Sequence, residues 1–110
     1  MPERRTSLLR GTVDLLVLKS LVLEPLHGVG ISRRIQQITG ERVQVSYGSL
    51  FPALHRMEEK GWLASEWRNS DSNRRAKFYR LTKAGARQLR IEEQDWGRVV
   101  QAVAAALRSS

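Results

Sequence analysis

The chain has 110 residues, enough for one domain with a modest core and too few for a large one. At 41% hydrophobic residues it is not composed like a disordered polymer, and with no cysteine it can form neither a disulfide nor a thiolate metal site. Its 19 lysines and arginines against 11 acids leave a net charge of +8, which points to a polyanionic partner, nucleic acid first and an anionic membrane surface second.

Met1 to Ser7 reads as a basic arm in which Arg4 and Arg5 can meet phosphates. It lacks the apolar run and small-residue cleavage site of a leader. Leu15 to Leu23 is apolar but is interrupted by Lys19 and Ser20. It also falls far short of the roughly 20 residues of a membrane span. A cytoplasmic protein with no membrane partner is therefore expected. A first helix is predicted over Thr12 to Glu24, with Thr12 as cap, Asp14 in its first turn and Pro25 as its stop. Its apolar residues, among them Val13, Leu15, Leu16, Val17 and Leu18, nearly surround it, whereas a surface helix shows one stripe. A second covering surface is implied, and Leu15 and Leu18 are expected to meet a partner subunit.

"PLHGVG" reads as a turn, followed by a second helix over Val29 to Thr39 with Ile31, Ile35 and Ile38 on one face and Gly40 at its end. "ERVQV" is short and extended. The stretch "SYGSLFPALHRMEEKG" predicts a third helix capped by Ser46 or Ser49 and closed by Gly61. Leu50, Leu54 and Met57 make its inner face. Pro52 is expected near its start, where backbone N–H groups have few helical partners. "WLASEW" and "KFYRL" read as two strands joined by the polar loop "RNSDSNRRA". Thr82 then opens a last helix reaching to about Leu107. There Leu89, Trp96, Val99, Val103 and Ala106 follow steps of 7, 3, 4 and 3, a short coiled-coil seam with Glu92 in one slot.

Helix, helix, helix, hairpin, helix is the order of a mainly α, α+β winged helix-turn-helix, in which the third helix enters a DNA groove. The expected organisation is an arm over 1–7, a DNA-binding domain over 8–81 and a dimerisation helix over 82–110. Outward on the third helix lie Gly48, Ser49, Pro52, His55, Arg56 and Glu59, with Tyr47 and Phe51 toward an edge. Serine, histidine and arginine donate to phosphates or base edges, an aromatic edge can touch a thymine methyl, and N–H groups at Gly48 and Ser49 can meet a phosphate. A solvated amphipathic helix has the same pattern, and Glu58 and Glu59 suit it. The hairpin favours nucleic acid: Arg68, Arg74, Arg75, Lys77 and Arg80 crowd it, opposed mainly by Glu66 and Asp71, more cations than protection of an edge strand requires. No catalytic pattern competes. His27 and His55 are the only histidines, the adjacent glutamates diverge on their helices, and no phosphate loop, Gly-x-Ser-x-Gly or HExxH is present. An enzyme is not expected, nor is any metal or cofactor.

The segments "LRGTVDLLVLKSLVLEPLHGVGISRRI", "VSYGSLFPALHRMEEKGWL" and "SNRRAKFYRLTKAGARQL" closely resemble the PadR-like transcriptional regulators, from about Leu8 to Trp96. The single C-terminal helix resembles the smaller subgroup. The resemblance implies a homodimeric winged helix, usually a repressor on a near-palindromic operator. By position it implies that His27 and Gly28 start the second helix near the DNA backbone, that Tyr47, Gly48, Ser49 and Phe51 face DNA and that Arg74, Arg75 and Lys77 belong to the wing; Ser46, at the start of the third helix, is a further candidate DNA contact. It also implies a dimer face that includes Leu89, Trp96, Val99, Val100, Val103 and Leu107. The family often carries tyrosine where this chain has Val29 and Phe51, so a hydrogen bond made by that phenol is absent here. Some members bind aromatic or drug-like molecules between the dimer-forming helices. Trp96 is then a candidate contact for a small aromatic effector or simply part of the dimer seam. Two other readings remain at this point: a small-molecule sensor centred on that interface, and a winged helix that binds protein.

Overall fold

The computed structural model describes residues 10–109. In chain order it contains α1 (Arg10–Ser20), β1 (Leu26–His27), α2 (Gly28–Ile38), α3 (Tyr47–Glu59), β2 (Leu63–Asn69), β3 (Arg75–Leu81) and α4 (Lys83–Arg108). The strands form one antiparallel sheet in the order β1–β3–β2. This is the α+β winged helix-turn-helix expected from the sequence.

The helix α1 ends earlier than expected. Ser20 Oγ donates to the Val17 carbonyl at 2.7 Å, and the N–H groups of Leu21 and Val22 reach back to Leu18 and Lys19. These tight bonds finish the helix well before Pro25. Thr12 lies inside α1 rather than capping it, and Asp14 falls beyond its first turn. β1 replaces the predicted turn: Leu26 pairs with Tyr79 and His27 with Phe78. Ile38, expected on the inner face of α2, is exposed. The helix stops where the chain turns left-handed at Gly40, φ +62°, and the Glu41 N–H reaches back to the Gln36 carbonyl at 2.7 Å.

Val17 and Leu18 of α1, Ile31 and Ile35 of α2, and Leu50, Leu54 and Met57 of α3 are fully buried in one cluster. Ser46 is the cap of α3; its Oγ accepts the Ser49 N–H at 3.2 Å. At the other end Gly61 has φ +80°, its N–H bonds the Glu58 carbonyl, and the Trp62 N–H bonds that of Met57. That left-handed closure suits glycine, which has no Cβ to clash. Pro52 lies farther in than expected, past the first turn of α3. It has no N–H for the Gly48 carbonyl, but both residues are exposed, so water can take that carbonyl.

The hairpin pairs Leu63 with Leu81 through to Asn69 with Arg75, longer than the predicted strands. Its turn closes through Ser70 N–H to the Arg74 carbonyl at 2.7 Å, with Asn73 at φ +61°. Thr82 caps α4 by accepting the Gly85 N–H at 3.0 Å. Leu89 and the Lys19–Glu93 pair, at 3.9 Å, hold the first half of α4 to α1. The second half extends beyond the core and leaves Trp96, Val99, Val100, Val103 and Leu107 exposed. No helix among the described residues is long and apolar enough to cross a membrane.

Gly85 is buried where α4 meets the turn after α3, and a Cβ there would sit 2.1 Å from the Trp62 carbonyl oxygen. Glycine to alanine inside a helix ordinarily stabilises by about 1 kcal/mol. Gly85→Ala is expected to do the opposite, costing about 1–3 kcal/mol as an overpacked site does. Thermal melting checks this; a raised melting temperature would contradict the close approach.

Candidate nucleic-acid interface

The buried stripe of α3, completed by Ala53, turns Tyr47, Gly48, Phe51, Pro52, His55 and Glu59 outward. The Phe51 ring lies on the start of α2: a Cβ on Gly28 would sit 2.6 Å from Phe51 Cζ. A side chain at position 28 would displace the tip of that ring. Tyr47 packs beside Phe51 with ring centroids 5.8 Å apart. His27 caps α2, its Nδ1 accepting the Gly30 N–H at 3.0 Å. The neutral ring then carries its proton on Nε2. The same ring meets Phe78 edge-on at 5.1 Å, and the Arg68 guanidinium covers Phe78 at 4.2 Å.

Two expected phosphate-binding cations are engaged inside the protein. Arg56 Nη2 lies 2.7 Å from Asp14 Oδ1 on α1. Asp14 is only 6% exposed, so its charge requires a partner, and the pair draws Arg56 off the outer face of α3. Lys77 Nζ lies 3.3 Å from Glu58 Oε1. The Ser65 hydroxyl donates to the other oxygen of Glu58 at 2.5 Å. Glu58 thus ties α3 to both strands of the hairpin. The Ser65 hydrogen bond foremost, with Lys77 adding to it against the opposing effect of burial, holds the Glu58 carboxyl below its ordinary value of 4.5. Burial pushes the Tyr79 phenol above 10.0, so it is neutral in this contact.

Arg74 and Arg75 are exposed at the hairpin end, with Arg75 over the Trp67 ring at 6.0 Å. The hairpin and α3 face each other across an open cleft of about 770 Å³. His27, Gly28, Val29, Phe51 and His55 line one side, Trp67, Arg74, Arg75 and Lys77 the other, and Arg33 of α2 joins them. Arg33 and Trp67 were not singled out as site residues from sequence. The basic step after Ser32 and the aromatic residue in a cationic hairpin were the available signals. Ser46, Ser49 and Pro52 are exposed at the start of α3 and along its outer side. The Ser49 N–H is already taken by the cap, which leaves the N–H groups of Tyr47 and Gly48 to present there. Arg4 and Arg5 lie outside the described residues.

The expected dimer residues divide. Leu18 is fully buried and Leu89 is 7% exposed, both within the chain's own core, so neither has surface to offer a second chain. Leu15 is half-buried. The residues from Trp96 to Leu107 named above are the exposed ones.

A model of the transcriptional regulator PadR-like family matches residues 17–91. The transcriptional regulator Rv3488 of Mycobacterium tuberculosis is 37% identical over 76 residues, which cover 69% of this chain and 67% of that protein. A PadR family transcriptional regulator from Eggerthella lenta has a solved structure that matches with a TM-score of 0.76 at 34% identity, covering 92% of this chain and 86% of that one. For a PadR family transcription regulator from Clostridium difficile the TM-score is 0.73 at 28% identity, over 86% of this chain and 97% of that one.

Because its folded value lies below the ordinary 4.5, the Glu58 carboxylate contributes stability that is complete above that value and lost as pH falls through the lower one. Glu58→Gln is expected to lower stability by at most about 1 kcal/mol near neutral pH, the range of a partly exposed pair. In thermal melts the gap between parent and variant should hold constant from about pH 6 to 8 and close as the pH falls below the ordinary 4.5. A gap that widens in acid would contradict the tether.

Proposed function

The chain belongs to the PadR-like family of transcriptional regulators, and from that premise we propose that it is a sequence-specific DNA-binding regulator, a homodimeric repressor of a near-palindromic operator. The observation that carries this reading is the cleft shared by α3 and the hairpin, which gathers outward α3 residues and exposed arginines on one side of the fold. A helix is about 10–12 Å across and a major groove about 12 Å wide. With α3 in that groove, Ser46, Ser49, His55, the Tyr47 hydroxyl and the Gly48 N–H are among the polar groups offered to the DNA. Arg74, Arg75 and Arg33 flank the helix where phosphates would run. Arg4 and Arg5 are proposed to add contacts of the same kind.

Dimerisation is supported by the apolar stripe on α4. Trp96, Val99 and Val103 are each about half exposed among the described residues, and a second copy would remove them from water. Two copies related by a two-fold axis would present two α3 helices to half-sites one turn apart, about 34–36 Å. The cleft between α3 and the hairpin does not include Trp96, so an aromatic effector that touches Trp96 is proposed to sit between the α4 helices of the dimer.

Two measurements test the reading. Replacing Arg74 and Arg75 with alanine should weaken binding to operator and scrambled DNA alike. It should also flatten the log–log salt dependence by about two to four, since each neutralised phosphate contributes about 0.9 and a dimer carries two wings. An unchanged slope would argue for a winged helix that binds protein instead. Val99→Asp with Val103→Asp should give monomers in analytical ultracentrifugation and lower operator affinity by about a hundredfold or more, through lost bivalency. A dimer that survives both changes would remove α4 from the interface.

A further inference from the structure

The outward face of α3 lacks the side chains that most often read bases through paired hydrogen bonds. Among the described residues of α3, Tyr47, Gly48, Ser49, Phe51, Pro52, His55 and Glu59 are exposed, and none is arginine, lysine, asparagine or glutamine. The one arginine of the helix, Arg56, is held by Asp14 at 2.7 Å. Beside the polar Ser49, His55 and Glu59, the face presents an aromatic and apolar patch. Phe51 is 40% exposed, Tyr47 51%, and Val29, which lines the same cleft from α2, 40%. Leaving these in water is unfavourable; among the described residues Phe51 lies against Gly28 and packs beside the Tyr47 ring.

We propose that this patch, centred on Phe51, reads the C5-methyl groups of thymines in the major groove, making methyl contact rather than bidentate hydrogen bonding the main direct readout of α3. The proposal rests on the DNA-binding reading above. Its chemistry is specific. The thymine methyl is the one apolar group on the major-groove edge of the bases, and it distinguishes T from every other base there. The Phe51 ring is placed for such a contact: its tip lies against Gly28 while 40% of the residue stays exposed on the outer face. The cations around the cleft, Arg33, Arg74 and Arg75, supply attraction to phosphate without sequence. Arginine contacts to guanine are not required, and the selected sites should be rich in thymine where α3 lies.

The test uses the full chain and duplexes that it enriches from a random-sequence pool. Each thymidine of an enriched duplex is replaced singly by deoxyuridine, which removes only the methyl, and affinity is measured by anisotropy. The expected result is a loss of about fourfold at one or two positions in each half-site, the transfer value of one buried methyl-sized group. Phe51→Ala should bind the parent duplex more weakly and lose the preference for thymine over uracil at one of those positions. Parent protein indifferent to every substitution would overturn the proposal while leaving DNA binding intact. A preference that survives undiminished in Phe51→Ala would overturn the role of Phe51. Failure to enrich any duplex would overturn the DNA-binding reading itself, and this inference with it.

Discussion

The rotation of α3 about its own axis decides what the protein can touch. Leu50, Ala53, Leu54 and Met57 are buried against α1 and α2. A leucine or methionine in that setting contributes about 1.5–3 kcal/mol by leaving water. A single hydrogen bond on the outer side is worth about 1 kcal/mol net. The buried stripe therefore wins, and a slip of one residue, about 100° of rotation, would expose it. Everything on the outer face follows from this: Phe51 and His55 face away from the core, and Arg56 stands close enough to α1 for Asp14 to capture it.

Electrostatics set the second relationship, that between α3 and the hairpin. A net charge of +8 suggests a surface of interchangeable cations, but two of them serve the protein's own geometry. Arg56 neutralises a buried carboxylate, and Lys77 joins Ser65 in holding Glu58. A charge of this kind orients elements first; its value to a polyanion is reduced because its donors are already directed inward. The exposed Arg74 and Arg75, with Arg33 across the cleft, carry the proposed role in phosphate contact. The carboxylates of the third helix divide in the same way, since Glu58 turns to the hairpin while Glu59 remains exposed.

Much of this was legible in the sequence where one strong local signal acted alone. Ser46, Gly61 and Thr82 are such signals, and they bound α3 and begin α4. The i, i+4, i+7 leucines and Met57 identified the inner face of α3. Legibility failed where a distant partner decided the outcome. β1 is two residues long and exists only because β3 lies beside it. Asp14 looked like a first-turn acid, although its partner Arg56 is far along the chain. Leu18 and Leu89 had the right spacing for a partner face, but the chain's own core consumes them. At the site, residue types were readable and their engagement was not: nothing in "HRMEE" or "RRAKF" says that Arg56 and Lys77 are already paired.

The central claim is that α3 meets DNA in the major groove with the hairpin beside it. Dimethyl sulfate footprinting on a bound duplex tests it most directly, because guanine N7 lies in the major groove and adenine N3 in the minor groove. The account predicts N7 protection in two clusters with centres about 10 base pairs apart, or a multiple of that spacing. Adenine N3 should stay reactive within each cluster. Protection confined to adenine N3, with every guanine N7 open, would contradict it.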